Sequence, residues 1–360
     1  MKNENFKDNS NIKIKSKITK PKTVILNCIL IITIFLGLLI YMIYVDGIDN
    51  ILNLLTIVDY RWVVLGLFCL LCVWICDCLS LHIPLKKLYS NQKFTNSIKV
   101  TMIGQLFNNI TPFSSGGQPM QAYELTKTDK KASDSMSVLA MKFVITQIAL
   151  VLFTVIVICF QFEFFNYLFK DFLWIAILGF GANILLIIAV ILAGINKKFI
   201  TLFTTPIIKL LGKIKIIKNV DNTIEKLDNS ITNFNNQFKS MKSHKKTVLQ
   251  IFIIAIIQSF FYYSITYTVY KAFGNSGIGF WKIVPAQAFL LLIMTVTPTP
   301  GAGLGAEGGF LLLFNSIFKN GTINMSILFW RIYTFYLPII VGSLFLIPTN
   351  SKHKNYKNIS

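Results

Sequence analysis

Four stretches of this chain carry no charged residue over the length of a membrane-crossing helix: Val24 to Val45, Phe143 to Phe162, Phe172 to Asn196 and Thr247 to Tyr270. A helix needs about 20 apolar residues to cross ~30 Å of hydrocarbon. Two further stretches fit with one charge each: Trp62 to Ile83 around Asp77, and Asn324 to Ile347 around Arg331. The pattern predicts six spans. With 54% hydrophobic and only 14% charged residues, the chain falls far from the composition of a soluble domain. The first run exceeds a signal-peptide core and ends in Tyr41-Met-Ile-Tyr-Val-Asp46, without a small-residue cleavage site, so a retained helix is expected.

The net charge of +20 reflects where the lysines are placed. The segments Lys2–Lys22, Lys86–Lys99, Lys127–Lys142 and Lys197–Lys246, with the C-terminal tail, hold 29 of the 35 basic residues. The other connections carry Asp46, Asp49, Asp59, Glu163 and Asp171. This is the positive-inside pattern; it places both termini on the cytoplasmic side of the cell membrane and explains the charge without nucleic acid. Six cysteines lie in apolar segments, and Cys69, Cys72, Cys76 and Cys78 have no second Cys/His group to close a metal site. They read as small packing residues. No metal, cofactor or phosphate-binding loop is expected.

Two more segments, Val100 to Tyr123 and Ile283 to Ala306, are uncharged but broken by prolines and glycines. Such breaks cannot face lipid, because the freed backbone groups would lack partners. Lysines flank the first on both sides, so the chain enters and returns on one side; parity places the second on the opposite side. The expected fold is an all-α integral membrane protein, with six full spans plus two re-entrant helical hairpins arranged as two inverted-topology halves. The divisions are a basic tail (1–22), a first membrane half (23–194, hairpin near 100–123), a basic amphipathic loop (195–246), the remaining membrane domain (247–348, hairpin near 283–318) and a cytoplasmic tail (349–360). Interrupted segments at matching positions of inverted halves point to a transporter's substrate site.

Ionisable groups in membrane segments are costly and face a cavity or a partner. Arg331 and Glu307 are the leading candidates, expected at similar depth and as partners. Helix arms that start after Gly116, Gly117, Gly301, Gly303 and Gly305 could offer N–H groups to a lipid phosphate, or the glycines could serve tight packing. Asp77, Glu124 and Lys142 are accessory candidates; snorkelling to the interface explains Glu124 and Lys142 well, and Asp77, toward the cytoplasmic end of its span, is comparably ambiguous.

Thr111-Pro-Phe-Ser-Ser-Gly-Gly-Gln-Pro-Met-Gln-Ala-Tyr-Glu-Leu125 resembles the first hallmark of the lysylphosphatidylglycerol synthase transmembrane region, a family that includes flippase-like and multiple peptide resistance proteins. Pro298-Thr-Pro-Gly-Ala-Gly-Leu-Gly-Ala-Glu307 resembles its second hallmark, and Arg331 with Tyr336-Leu-Pro338 and Gly342 its last span. The resemblance implies a domain that moves lipid headgroups. In full-length relatives a C-terminal cytosolic domain transfers lysine from aminoacyl-tRNA to phosphatidylglycerol. This sequence stops shortly after its last span, so lysyl transfer by this chain alone is not expected. The readings are a flippase or scramblase for a phospholipid or lipid-linked sugar, the membrane subunit of a phosphatidylglycerol lysyltransferase whose catalytic domain lies in another chain, or a non-transporting partner of an envelope enzyme. Partners are accordingly membrane lipids, with a soluble synthase or glycosyltransferase and a homo-oligomer left open.

Overall fold

The computed structural model describes residues 58–164, 173–213, 219–295, 297–319 and 321–346, with Leu36 and Thr56. The first expected span and both tails lie outside the described residues. The described elements are all helical: α1 (Tyr60–Leu88), α2 (Phe94–Ile110), α3 (Gly117–Thr126), α4 (Ala132–Phe160), α5 (Leu173–Ile195), α6 (Lys197–Lys213), α7 (Val220–Ser243), α8 (Lys245–Ala272), α9 (Phe280–Thr295), α10 (Gly303–Phe314), α11 (Ile323–Arg331), a π-helical turn (Ile332–Tyr336) and α12 (Leu337–Leu344). Among the described residues, five helices are long and apolar enough to cross a membrane: α1, α4, α5, α8 and the run Ile323–Leu344. The protein is an all-helical, multi-pass membrane protein.

α1 begins where Asp59 caps it, accepting from Arg61 N at 3.0 Å, and ends with Lys86 and Lys87 at the negative pole of the dipole. Val64, Phe68, Leu71 and Ile75 form one exposed stripe along it. Repeated on α4 and α5, so much exposed apolar surface would drive aggregation in water but suits contact with acyl chains. The opposite face of α1 packs antiparallel to α8, with Asp59 N donating to Ala272 O at 2.9 Å. Gly66 permits this approach: a Cβ there would lie 2.8 Å from Thr268 Oγ1.

α2–α3 and α9–α10 are helix–break–helix pairs that enter the bundle from opposite ends. The α2–α3 pair is rooted at the end of α1, where His82 Nδ1 meets Ser97 Oγ at 3.0 Å and Tyr89 Oη donates to Asp134 Oδ2 at 2.6 Å. Burial and that carboxylate push the Tyr89 phenol up to about 12. The α9–α10 pair is rooted at the start of α1, beside the end of α8, where Lys319 N donates to Asn275 Oδ1 at 2.7 Å. The tips meet in an isolated antiparallel bridge between Pro112 and Pro300. The main apolar core, including Phe289, Phe310, Phe314 and Trp330, surrounds the second pair.

The described part of the basic loop folds into two helices. α7 buries Ile231 and Phe238, with Asn235 Nδ2 donating to Ala193 O and Gly194 O. α6 keeps Leu202, Phe203, Ile207 and Leu210 exposed among Lys198, Lys209 and Lys213, as an amphipathic helix at a lipid–water boundary would.

Candidate functional site

Both breaks begin with the same device. Thr111 and Thr297 each precede a proline, which has no N–H to continue the helix. Each hydroxyl instead donates back to the carbonyl four residues earlier, Thr111 to Phe107 O at 2.6 Å and Thr297 to Ile293 O at 2.8 Å. At the first tip, Thr111 Oγ1 also accepts from Gly116 N at 2.8 Å, and Asn108 Oδ1 accepts from Gly117 N at 3.0 Å. These two N–H groups are thus occupied within the chain. A Cβ on Gly117 would lie 2.1 Å from Asn108 Oδ1, and one on Gly116 2.5 Å from Thr111 Cγ2. Both glycines therefore serve close packing in this arrangement.

The second tip needs its glycines for different reasons. Gly301 takes φ +56°, and a Cβ there would lie 2.2 Å from the Phe335 ring and 3.1 Å from Asn109 O of the first pair. Gly305 would clash with Thr297 Oγ1 at 2.0 Å. Around Gly303 there is room: the nearest atom to an added Cβ is Arg331 Nη2, 3.8 Å away.

Arg331 organises this tip. Nη1 donates to Gly301 O at 3.2 Å and Nη2 to Gly303 O at 2.9 Å, while Nε lies 3.3 Å from Glu307 Oε1. The Nε contact is an ion pair without hydrogen-bond alignment. The guanidinium also lies 5.4 Å from the Trp330 ring and 5.2 Å from the Phe335 ring. Its side chain is 2% exposed, against 30% for Glu307. An arginine stays charged even when buried, so two carbonyls, a carboxylate and two ring faces replace its water. The π-turn that begins at Ile332 follows directly, a distortion common beside functional residues.

Of the sequence candidates, Arg331, Glu307, Gly301 and Gly303 come together, and the bridge sets Gly116 and Gly117 on the facing tip. The expected contact between Arg331 and Glu307 is present. The guanidinium is not open to a phosphate in this arrangement, because backbone carbonyls hold its terminal nitrogens. The accessory residues lie elsewhere. Lys142 does not snorkel: its Nζ lies 2.6 Å from Asp77 Oδ1, and the two side chains are 11% and 12% exposed. Asp77 is therefore paired with Lys142, away from Arg331. Glu124 is 5% exposed, paired with Lys127 and lying 3.8 Å from Lys99. Cys69, Cys76 and Cys78 are buried, as packing residues are.

Gln105, Asn108 and Asn109 were not singled out from sequence. Their signal was available: on α2, polar residues 101, 105 and 108 recur every turn inside the uncharged segment.

The model of the lysylphosphatidylglycerol synthase transmembrane region matches residues 25–342. The chain belongs to this family. A UPF0104 membrane protein of Methanocaldococcus jannaschii is 25% identical over 356 residues, covering 93% of this chain and 96% of the relative. The family match spans both breaks and Arg331, so the site described above lies within the shared region.

Proposed function

We propose that this member of the family moves a polar lipid headgroup across the cytoplasmic membrane, along the seam where the two helical pairs meet. The observation that carries the reading is the meeting of two broken helical pairs, rooted at opposite ends of the bundle, beside a partly exposed carboxylate held by a buried arginine. On this reading the pairs are re-entrant hairpins, the unbroken helices with the first apolar run make six spans, and the lysine-rich end faces the cytoplasm. Irregular backbone at membrane depth is tolerated where protein or a watery cavity surrounds it, which suits a headgroup path. A headgroup with both a phosphate and an amine matches the internal pair charge for charge. Its amine takes Glu307, and the phosphate takes the Nε edge of the guanidinium that Glu307 leaves, while the Gly301 and Gly303 carbonyls keep the terminal nitrogens.

Reconstitution tests the reading. Liposomes carrying headgroup-labelled phospholipid are treated with an impermeant quencher, with and without an imposed pH gradient. Protein-containing vesicles should lose label from both leaflets. Loss limited to the outer leaflet, as in protein-free vesicles, sinks the proposal. Topology is tested separately with single cysteines in a cysteine-free background at Ser90 and Ser276, both exposed and at opposite ends of the bundle. An impermeant thiol reagent applied to intact cells should label position 276 and spare position 90; the reverse pattern would invert the orientation.

A further inference from the structure

Three helices meet in a buried polar cluster that the tip site does not use. Lys142 of α4 pairs with Asp77 Oδ1 of α1 at 2.6 Å, and Gln105 of α2 donates to Asp77 Oδ2 at 2.8 Å. A buried ion pair is an inefficient tie between helices, since apolar residues of equal volume often stabilise as well or better. Its surroundings give it a second use. On α2, Ser97, Thr101 and Gln105 recur every four residues and so share one face. Both hydroxyl-bearing residues are 0% exposed. Ser97 Oγ contacts His82 Nδ1 at 3.0 Å at the lysine-rich end, and the Thr101 hydroxyl lies against the Cys78 thiol. Ser80, one turn from Asp77 toward that end, is 0% exposed, and its hydroxyl has no partner among the described residues. Buried hydroxyls of this kind are ordinarily completed by water.

Beyond the cluster the polar line continues toward the second break. Gln147, five residues past Lys142, donates to Asn183 Oδ1 at 3.1 Å. Asn183 Nδ2 reaches Thr295 Oγ1 at 3.5 Å, at the last residue of α9. Exchangeable groups thus lie on both sides of the Asp77–Lys142 pair, one set at the lysine-rich end and a second, Gln147, Asn183 and Thr295, at the end of α9.

We propose that Asp77 is a proton-binding site, reached from the lysine-rich end through His82, Ser97, Ser80 and Thr101, and that its protonation couples a proton gradient to lipid movement. The coupling half rests on the function proposed above. In the step itself a proton leaves water or the His82 imidazolium, and an O–H bond forms on an Asp77 carboxylate oxygen; no electrons change hands. The neutral acid no longer balances Lys142, and its protonated oxygen becomes a donor. The ties from α1 to α4 and to α2 then loosen together, and α2 leads directly to the tip.

The groups facing Asp77 permit this reading. Lys142 comes from α4, and Cys76 and Cys78 from α1 itself. On α2 the charged residue is Lys99, which lies against Glu124 at 3.8 Å. α8 is uncharged between Lys246 and Lys271; its titratable groups there are Tyr262, Tyr263, Tyr267 and Tyr270. In the π-turn, the Tyr333 hydroxyl donates to Val63 O at 2.8 Å, far along α1 from Asp77.

The test is infrared difference spectroscopy of the full chain in liposomes as pH is lowered. The chain's other carboxylates also protonate as pH falls, so the site is read as one component of the protonated-carboxyl C=O absorption, present in the wild type, Glu307→Gln and Glu124→Gln and lost in Asp77→Asn. A band unchanged by Asp77→Asn overturns the site. Lys142→Met should move the band's midpoint to higher pH, because the ammonium that favours the carboxylate is gone; an unmoved midpoint also counts against it. In the quenching assay, a pH gradient should change the wild-type rate several-fold and leave Asp77→Asn unresponsive. Wild-type movement that ignores the gradient overturns the coupling. No lipid movement by the wild type under any gradient overturns both the coupling and the function proposed above, while the infrared band alone still decides the proton site.

Discussion

Arg331→Ala is expected to abolish lipid movement and to lower the protein's thermal stability and abundance more than Glu307→Ala does. The asymmetry follows from the contacts. Losing Arg331 strands the carbonyls of Gly301 and Gly303 as well as the Glu307 carboxylate. Each unsatisfied buried group costs about 1–3 kcal/mol. Losing Glu307 leaves Arg331 its two carbonyls and rings, and because Glu307 is 30% exposed its pairing contributes less than a fully buried partner would. Glu307→Gln should keep near-normal abundance yet lose transport of an amine-bearing headgroup, since it retains the shape and removes the charge. The double mutant Arg331→Ala/Glu307→Ala should be less destabilised than the two single losses predict, with a coupling of about 0.5–3 kcal/mol. It should remain inactive. The cycle is read from thermal unfolding in detergent, with quenching assays alongside; strictly additive losses would show that the ion pair contributes nothing.

The glycines of the second tip should separate into two classes. Gly301→Ala combines a left-handed backbone, which costs a side chain roughly 1–2 kcal/mol, with a clash against Phe335 and Asn109 O that adds roughly 1–3 kcal/mol. A large fall in melting temperature and loss of transport are expected. Gly303→Ala opens α10, has 3.8 Å of clearance and gains helix propensity, so it should be neutral or stabilising by roughly 0.5–1 kcal/mol. Sequence alone treats these glycines alike. Equal damage from the two substitutions would mean that the tip is packed differently from the structure described here.

Much of the architecture was legible in sequence because a bilayer imposes length and charge rules that can be read along the chain. Uncharged runs of helical length mark the apolar helices, and prolines with glycines mark the two breaks, since helical hydrogen bonding cannot continue through Thr111-Pro112 or Thr297-Pro298. Arg331 and Glu307 stood out because charge in hydrocarbon is costly without a partner. Sequence could not say which glycine N–H groups were already occupied: Asn108 and Thr111 reach Gly117 and Gly116 across a turn whose shape depends on left-handed Phe113 and Ser114. Nor could it pair Asp77 with Lys142, which lie 65 positions apart on different helices and each resemble an interfacial charge when viewed alone. Local hydrophobicity and backbone chemistry are properties of consecutive residues, so the sequence by itself determined the helices, the breaks and the costly charges. Which charge meets which, and whether a guanidinium faces a cavity or a carbonyl, depends on the crossing of α1, α2, α4 and the two tips, and only the tertiary structure decided it.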